Sequence, residues 1–416
     1  MAAESRSNSS RMAAGTRSNS IRAEIEKLRR NIQDLRKTKQ NGGMEVVGAQ
    51  GRGSGLAPNR IKMRRELNGH FGKVFAVDWS GDGKEVLSAS QDGKLILWDA
   101  QTVNKIMSVP LRSSWVMTCS YEQTNAYGGR HAACGGLDNI CSIYSLKEKE
   151  PEKSKRPVQT LVGHDGYIAC NKFLDARTVL TASGDNTICK WDTESGKMVM
   201  SFRGHSADVL SISTNPKNVF VFISGSCDFS AKLWDIREKN GKCVQNFERC
   251  HDEDINAVSF FPSGEAFATG SDDCKARVFE LRCRSEVAAM GGALASPIHS
   301  IGFSKSGRLL FAGYDDNKCR GWDVLKPSQP YCMLANHDNR VSCLSVNPSG
   351  DALVTGSWDS SVRIVSYPNP NPNPNRGSLV ACSPIFPPFS SFFTHLTFPP
   401  KNDYANSGVK NNVKDD

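Results

Sequence analysis

No apolar run in the chain reaches the roughly 18 residues a membrane-spanning helix needs. The opening residues Met1 to Arg6 lack the apolar core of a secretory signal, and the closing residues Val413 to Asp416 carry no prenylation motif. Membrane association is therefore expected only through partners. Fourteen cysteines contain no C-x-x-C pair. Several, such as Cys119, Cys170 and Cys343, lie in strand-like runs, which reads as small buried hydrophobes in a reducing compartment rather than a disulfide or metal framework. No G-x-S-x-G elbow, phosphate loop or metal cluster stands out, so no cofactor, metal or catalytic residue is assigned. The formal charge of +9 invites a nucleic-acid reading. Residues 1–40 hold ten Lys/Arg and four Asp/Glu, so +6 of it sits in that arm. The nearly neutral remainder is not a basic groove.

What the chain does have is a repeat. A turn aspartate recurs at Asp92, Asp138, Asp185, Asp228, Asp273, Asp316 and Asp359, spaced 46, 47, 43, 45, 43 and 43 residues apart. Six residues later stand Trp98, Tyr144, Trp191, Trp234, Phe279, Trp322 and Val365. Strand-length runs such as Lys73-Val-Phe-Ala-Val-Asp-Trp79 alternate apolar and polar residues, with Asp-Gly-type turns between them. Small sheets of this kind cannot bury both faces alone, but packed radially they cover one another. The spacing predicts an all-β, seven-bladed WD40-type propeller over residues 61–366.

Polar residues sharpen the prediction. His70, His164, His205, His251 and His337 precede five periods, and the same five carry Ser88, Thr181, Ser224, Thr269 and Thr355 four residues before the turn aspartate. Periods two and six lack both and carry Cys134 and Ala312. Joint presence or absence is what a shared hydrogen-bond set predicts, because removing one member strands a buried polar partner at about 1–3 kcal/mol. The expected sets are His70, Ser88, Asp92 and Trp98; His164, Thr181, Asp185 and Trp191; and His205, Ser224, Asp228 and Trp234. Their Ser/His/Asp content resembles a hydrolase triad, but a triad occurs once per site, and these recur with the fold period.

The ends differ from the ring. Residues 1–20, rich in Ser, Arg and Asn, read as disordered. Over residues 21–40, Ile21, Ile25, Leu28, Ile32 and Leu35 form a heptad seam between charged residues. A helix this short is marginal alone in water, and an intermolecular coiled coil is favoured over packing against the ring. Residues 41–60 read as a linker. The Pro/Asn-rich stretch from Tyr367 cannot pair in a central strand, so 367–416 is read as an irregular extension.

The strings Arg112-Ser-Ser-Trp-Val-Met-Thr-Cys119, Gly135-Gly-Leu-Asp-Asn-Ile-Cys-Ser-Ile-Tyr144, Ser88-Ala-Ser-Gln-Asp-Gly-Lys-Leu-Ile-Leu-Trp98, Ser304-Lys-Ser-Gly-Arg308 and His337-Asp-Asn-Arg-Val-Ser-Cys343 closely resemble the beta subunits of heterotrimeric G proteins. The resemblance implies a non-catalytic signalling subunit without cofactors. It implies that the heptad arm pairs with a gamma subunit, and that the strand near Lys62-Met-Arg-Arg-Glu-Leu67 closes the ring. One face is implied to bind the switch region of a GDP-loaded alpha subunit, and the released protein to signal from receptor to effectors. It places Lys73, Phe75, Trp115, Met117, Leu137, Asn139, Tyr167, Asp185, Asp228, Asp254 and Trp358 on the switch-binding face. It places Phe71, Lys94, Ile96, Asn104 and Lys105 on the edge meeting the alpha N-terminal helix. Asp185 and Asp228 are also turn aspartates, so a structural reading stands beside the binding one. Phe75, Phe71 and Asp165 depart from the family's usual Tyr, Leu and Thr, and Val365 from its final Trp. Another WD40 adaptor is the alternative function.

Overall fold

The computed structural model describes residues 61–123, 130–146, 156–291, 295–335 and 337–366. Chain contacts separate Met1–Leu56 from Ala57–Asp416, and all described residues belong to the second unit. The expected seam residues Ile21 to Leu35 and the extension 367–416 lie outside the described residues.

The described residues form seven four-stranded antiparallel sheets. Their inner strands are Val74–Trp79, Val116–Tyr121, Ile168–Asp175, Val209–Thr214, Ile255–Phe260, Ile298–Phe303 and Val341–Val346, numbered here as blades 1 to 7. Neighbouring inner strands pack in a circle, the last against the first. The expected seven-bladed propeller is what forms, with a fourth, outer strand added to the three legible per period. Outer strands are largely exposed, as in Met198–Arg203, where Phe202 alone is buried.

Second strands are covered on both faces. Glu85–Ser90, Ala266–Ser271, Leu309–Tyr314 and Ala352–Ser357 are buried throughout. Small residues are needed there because adjacent sheets approach closely. A Cβ on Gly225 would lie 2.6 Å from Ile255 Cγ2 of the next blade, and one on Gly356 2.8 Å from Val74 Cγ1 across the closure. The one acid buried in these strands, Glu85, is satisfied by the Tyr121 hydroxyl at 2.8 Å and Arg130 Nη1 at 2.6 Å.

Closure uses both ends of the ring. Strand Lys62–Asn68 pairs antiparallel with Ser361–Ser366, so blade 7 is built from distant parts of the chain. Leu67 is fully buried, and Arg363 grips Glu66 at 3.2 Å. Val365 stands where the first, third, fourth and sixth blades place Trp, and it is buried against Leu353 and Phe311.

Candidate functional site

The polar sets are built inside the blades. His70 Nδ1 lies 3.0 Å from Asp92 Oδ2 and Nε2 2.8 Å from Ser88 Oγ, while the Trp98 indole donates to Ser88 Oγ at 2.8 Å. His164 joins Asp185 and Thr181 at 2.6 and 2.7 Å, with Trp191 donating to Thr181 at 2.7 Å. His205 joins Asp228 and Ser224 at 2.8 and 2.7 Å, with Trp234 donating to Ser224 at 2.8 Å. His251 with Asp273 and Thr269, and His337 with Asp359 and Thr355, repeat the geometry without an indole. Chemistry fixes the direction of each chain. An indole N–H can only donate and a carboxylate can only accept. Nδ1–H therefore donates to the aspartate, and with a neutral imidazole the hydroxyl donates to Nε2. Ser88, Thr181 and Ser224 are fully buried, so no substrate reaches these hydroxyls.

Blade 6 solves the missing set differently. Arg320 is buried and pairs with Asp316, its guanidinium 4.5 Å over the Tyr314 ring, and Trp322 donates to the Tyr314 hydroxyl at 3.0 Å. The residue after each turn aspartate has positive φ: Gly93, Asn139, Asn186, Phe229, Cys274, Asn317 and Ser360.

The turn carboxylates make the fold sensitive to acid. Burial pushes the Asp273 carboxyl up, but hydrogen bonds from His251 and from the Lys275 and Asp252 amides outweigh it and hold it at about 2. Asp92, Asp228 and Asp359 are likewise lowered against their burial, chiefly by the paired histidine, and Asp185 first by the Thr187 hydroxyl and then by His164. Burial lowers His205 too, favouring its neutral form. A depressed pKa stabilises the fold above the unfolded value, about 3.9 for Asp, and that stability is lost as pH falls through the folded value. The melting temperature is expected to fall steeply between about pH 4 and 2. His205 adds a loss that begins as pH drops below about 6.5. A melting temperature unchanged down to about pH 2 would contradict this account.

The mouth of the ring has its own periodic construction. Each inner strand starts with a buried Val or Ile, followed by a register shift in all seven blades. Such bulges re-aim one side chain. The re-aimed residues are Phe75, Met117, Ala169, Leu210, Asn256, His299 and Ser342, and all line a central channel of about 360 Å³. The residue before each inner strand holds the rim, its carbonyl accepting from the amide that precedes the turn aspartate. Leu137 donates to Trp115, Gly184 to Tyr167, Cys227 to Asp208, Asp272 to Asp254, and Trp358 to Arg340.

These positions divide the mouth by chemistry. Around blades 7, 1 and 2 stand aromatic and apolar groups. Trp115 and Leu137 are 42% and 50% exposed. Phe75 lies 6.3 Å from Trp115 and 5.8 Å from Trp358. Lys73 Nζ sits 3.9 Å and Arg340 4.1 Å from the Trp358 ring. Around blades 3 to 6 the groups are acidic. Tyr167 donates its hydroxyl to Asp208 at 2.8 Å, its ring lying where a Cβ on Gly184 would collide. Asp254 and Asp272 follow, then Asp315, which holds His299 at 2.9 Å and Arg340 at 2.8 Å. Burial, then the neighbouring Asp254, pushes the Cys227 thiol up to about 12.

Of the residues expected here, Lys73, Phe75, Trp115, Met117, Leu137, Tyr167, Asp254 and Trp358 occupy rim or bulge positions. Asn139 is a turn residue whose side-chain Nδ2 donates to the Asp165 carbonyl at 3.2 Å. Asp185 and Asp228 face inward, their carboxylates taken up by His164 and His205. Asp208, Asp272, His299, Asp315 and Arg340 were missed. Their signal was the position one before or one after the β-branched start of each inner strand, or one before the turn aspartate. At the edge of blade 1, Phe71 is 85% exposed beneath Lys94 Nζ at 5.3 Å, and Asn104 and Lys105 are exposed beside it. Ile96 does not belong with them. It is 1% exposed, packed with Leu67, Val362 and Ile364, because its strand is sandwiched between blades 7 and 2.

Comparison with known proteins agrees with this architecture. The fold is similar to the WD40 β-propeller domain of Doa1, with a TM-score of 0.63, 20% identity, and coverage of 74% of this chain and 96% of that one. The sequence is 48% identical over 355 residues to the guanine nucleotide-binding protein G(I)/G(S)/G(T) subunit beta-1 of Homarus americanus, covering 83% of this chain and 98% of the relative. It is 40% identical over 319 residues to the guanine nucleotide-binding protein subunit beta of Arabidopsis thaliana, covering 73% and 83%. The family model described as G protein beta WD-40 repeat protein matches residues 16–366. With a periodic ring, a built mouth and a match over most of its length, the chain belongs to the G protein beta WD-40 repeat family.

Proposed function

We propose that the chain acts as a non-catalytic beta subunit whose mouth grips the switch region of a GDP-loaded alpha subunit. The observation that carries this reading is the mouth itself: exposed Trp115 and Leu137 beside a Trp358 clamped by two cations, facing an arc of carboxylates. Aromatic and apolar anchors supply affinity, and charged groups around them set partner choice. The exposed edge at Phe71, Lys94, Asn104 and Lys105 suits a second contact, the alpha N-terminal helix. Nucleotide exchange on alpha reshapes its switch region, which frees the mouth for effectors and couples the chain to receptor signalling. The Ser/His/Asp sets support a binding role without catalysis, since they are sealed inside the blades. Localisation at the inner face of the plasma membrane follows from lipid-modified partners.

Immobilised chain tests this directly, offered alpha subunit loaded with GDP or with a non-hydrolysable GTP analogue. Retention is expected only in the GDP state; equal retention in both would remove the switch mechanism. The heptad seam is assigned to a gamma subunit. Replacing Ile25 and Leu28 by Asp places two charges in a dry seam and is expected to abolish co-purification of gamma. Undiminished co-purification would assign the stripe to another surface.

A further inference from the structure

We propose that the propeller carries its own contact for an anionic phospholipid surface, at the end of blade 4 opposite the mouth. The inner strands start at the mouth, so the turn that follows each one lies on the opposite face. Six of these turns are described, and the repeat provides an internal control. In blades 1, 6 and 7 the turn is a short polar sequence, such as Ser80-Gly-Asp-Gly-Lys84 or Ser304-Lys-Ser-Gly-Arg308, and in blade 5 it is Phe261-Pro-Ser-Gly-Glu265, whose Phe261 is buried. Blade 3 uses Ala176-Arg177. Blade 4 alone among them projects adjacent large apolar residues, Val219 at 57% and Phe220 at 43% exposure. The fold does not require them there.

Their exposure is enforced. Asn215 Oδ1 accepts from the Lys217 and Asn218 amides at 2.9 and 3.1 Å, and Asn218 Oδ1 accepts from the Phe220 amide at 3.1 Å. Asn215 Nδ2 anchors the turn to the Gly264 carbonyl of blade 5 at 2.9 Å. The Phe220 carbonyl accepts from Ile236 at 2.9 Å, which ties this turn to the connection between the last two strands of the same blade. That connection covers residues 236–244, against 100–104 in blade 1 and 193–197 in blade 3. It adds exposed Lys239 and Lys242 and ends on Val244, 52% exposed. The Arg237 guanidinium lies 5.1 Å over the Phe220 ring. Among the described residues, Lys217, Lys239 and Lys242 have no carboxylate within ion-pair distance.

The shape and charge select the partner. Val219 and Phe220 sit on a braced, projecting turn, which suits insertion at the boundary between headgroups and acyl chains. The lysines outnumber the exposed acid beside them, Glu238, while Arg237 is paired with Asp235; the excess of cations suits anionic headgroups, and the exposed aromatic suits the interfacial depth. Such a contact leaves the mouth open, and adds to any anchor supplied by another subunit, as two weak membrane signals do.

Sedimentation of the full chain with vesicles tests this, using phosphatidylcholine alone and phosphatidylcholine mixed with phosphatidylserine. Binding to the mixed vesicles only is expected, weakening as salt rises. Lys217→Ala, Lys239→Ala and Lys242→Ala together are expected to reduce it on the order of a hundredfold. Val219→Ser with Phe220→Ser is expected to reduce it about tenfold. All five side chains are exposed, so melting temperatures should not move. Arg6, Arg11 and Arg17 lie in the basic arm and are replaced by Ser in a parallel chain. If the arm variant alone abolishes binding while both patch variants are silent, the proposal fails. Equal binding to neutral and anionic vesicles also overturns it, as does patch-dependent capture of an acidic peptide without vesicle binding. Retention of GDP-loaded alpha subunit, read in the same patch variants, should be unchanged, which separates this contact from the mouth.

Discussion

Alanine in place of Trp115 is expected to weaken the capture of a GDP-loaded alpha subunit by about 2–3 kcal/mol, a loss of roughly 30- to 150-fold. The indole is 42% exposed, which for a side chain of roughly 250 Å² leaves about 100 Å² to bury. At ~25 cal/mol per Å² that gives about 2.5 kcal/mol. The backbone at Trp115 is already fixed, since its carbonyl accepts the Leu137 amide at 3.1 Å, so little backbone ordering cost opposes binding. The Phe75 ring, 6.3 Å away, keeps the indole against a second apolar surface. Titration of alpha against wild type and variant gives the number. A melting temperature close to wild type would show that the fold is intact. A loss smaller than about threefold would mean the anchor lies elsewhere on the face.

Much of the fold was legible because its physics repeats. Turn aspartate, closing ring, histidine and hydroxyl recur with the blade, and a buried polar set tolerates loss of all its members better than loss of one. Blade 6 was legible only as a gap. Arg320 and Tyr314 fill it with different residue types, and no period marks an arginine as a substitute for a histidine. The mouth was half legible. Trp115 and Leu137 stand out as apolar residues outside any buried run. Asp208, Asp315 and Arg340 look in sequence like solvated loop charges, and only the bulge at each inner strand shows that they share a ring. Ile96 was misplaced for another reason: only the family resemblance put it at the edge, whereas the unbroken apolar run Leu95-Ile-Leu-Trp98 reads as a strand covered on both faces, which neighbouring blades do cover.

The two aspartates Asp228 and Asp254 should separate scaffold from surface. Asp228 accepts from His205 at 2.8 Å, from the Ser206 and Ser230 amides at 3.1 and 3.0 Å, and from the Ser230 hydroxyl at 2.6 Å. Asp228→Ala would leave the His205 N–H and two backbone N–H groups in blade 4 without partners. Each costs about 1–3 kcal/mol, so a net loss of about 3–5 kcal/mol is expected after partial rehydration. Denaturant titration should show a lower midpoint, and alpha affinity, corrected for the folded fraction, should stay near wild type. Asp254 is half-exposed at the rim and receives no cation within ion-pair distance among the described residues. Asp254→Ala is expected to leave the midpoint within about 0.5 kcal/mol. Its loss should appear in alpha affinity, at about three- to tenfold for a rim charge. The opposite outcome is equally readable. A stable Asp228→Ala protein with impaired capture would move that carboxylate from the interior of the blade to the binding face, and the histidine set with it.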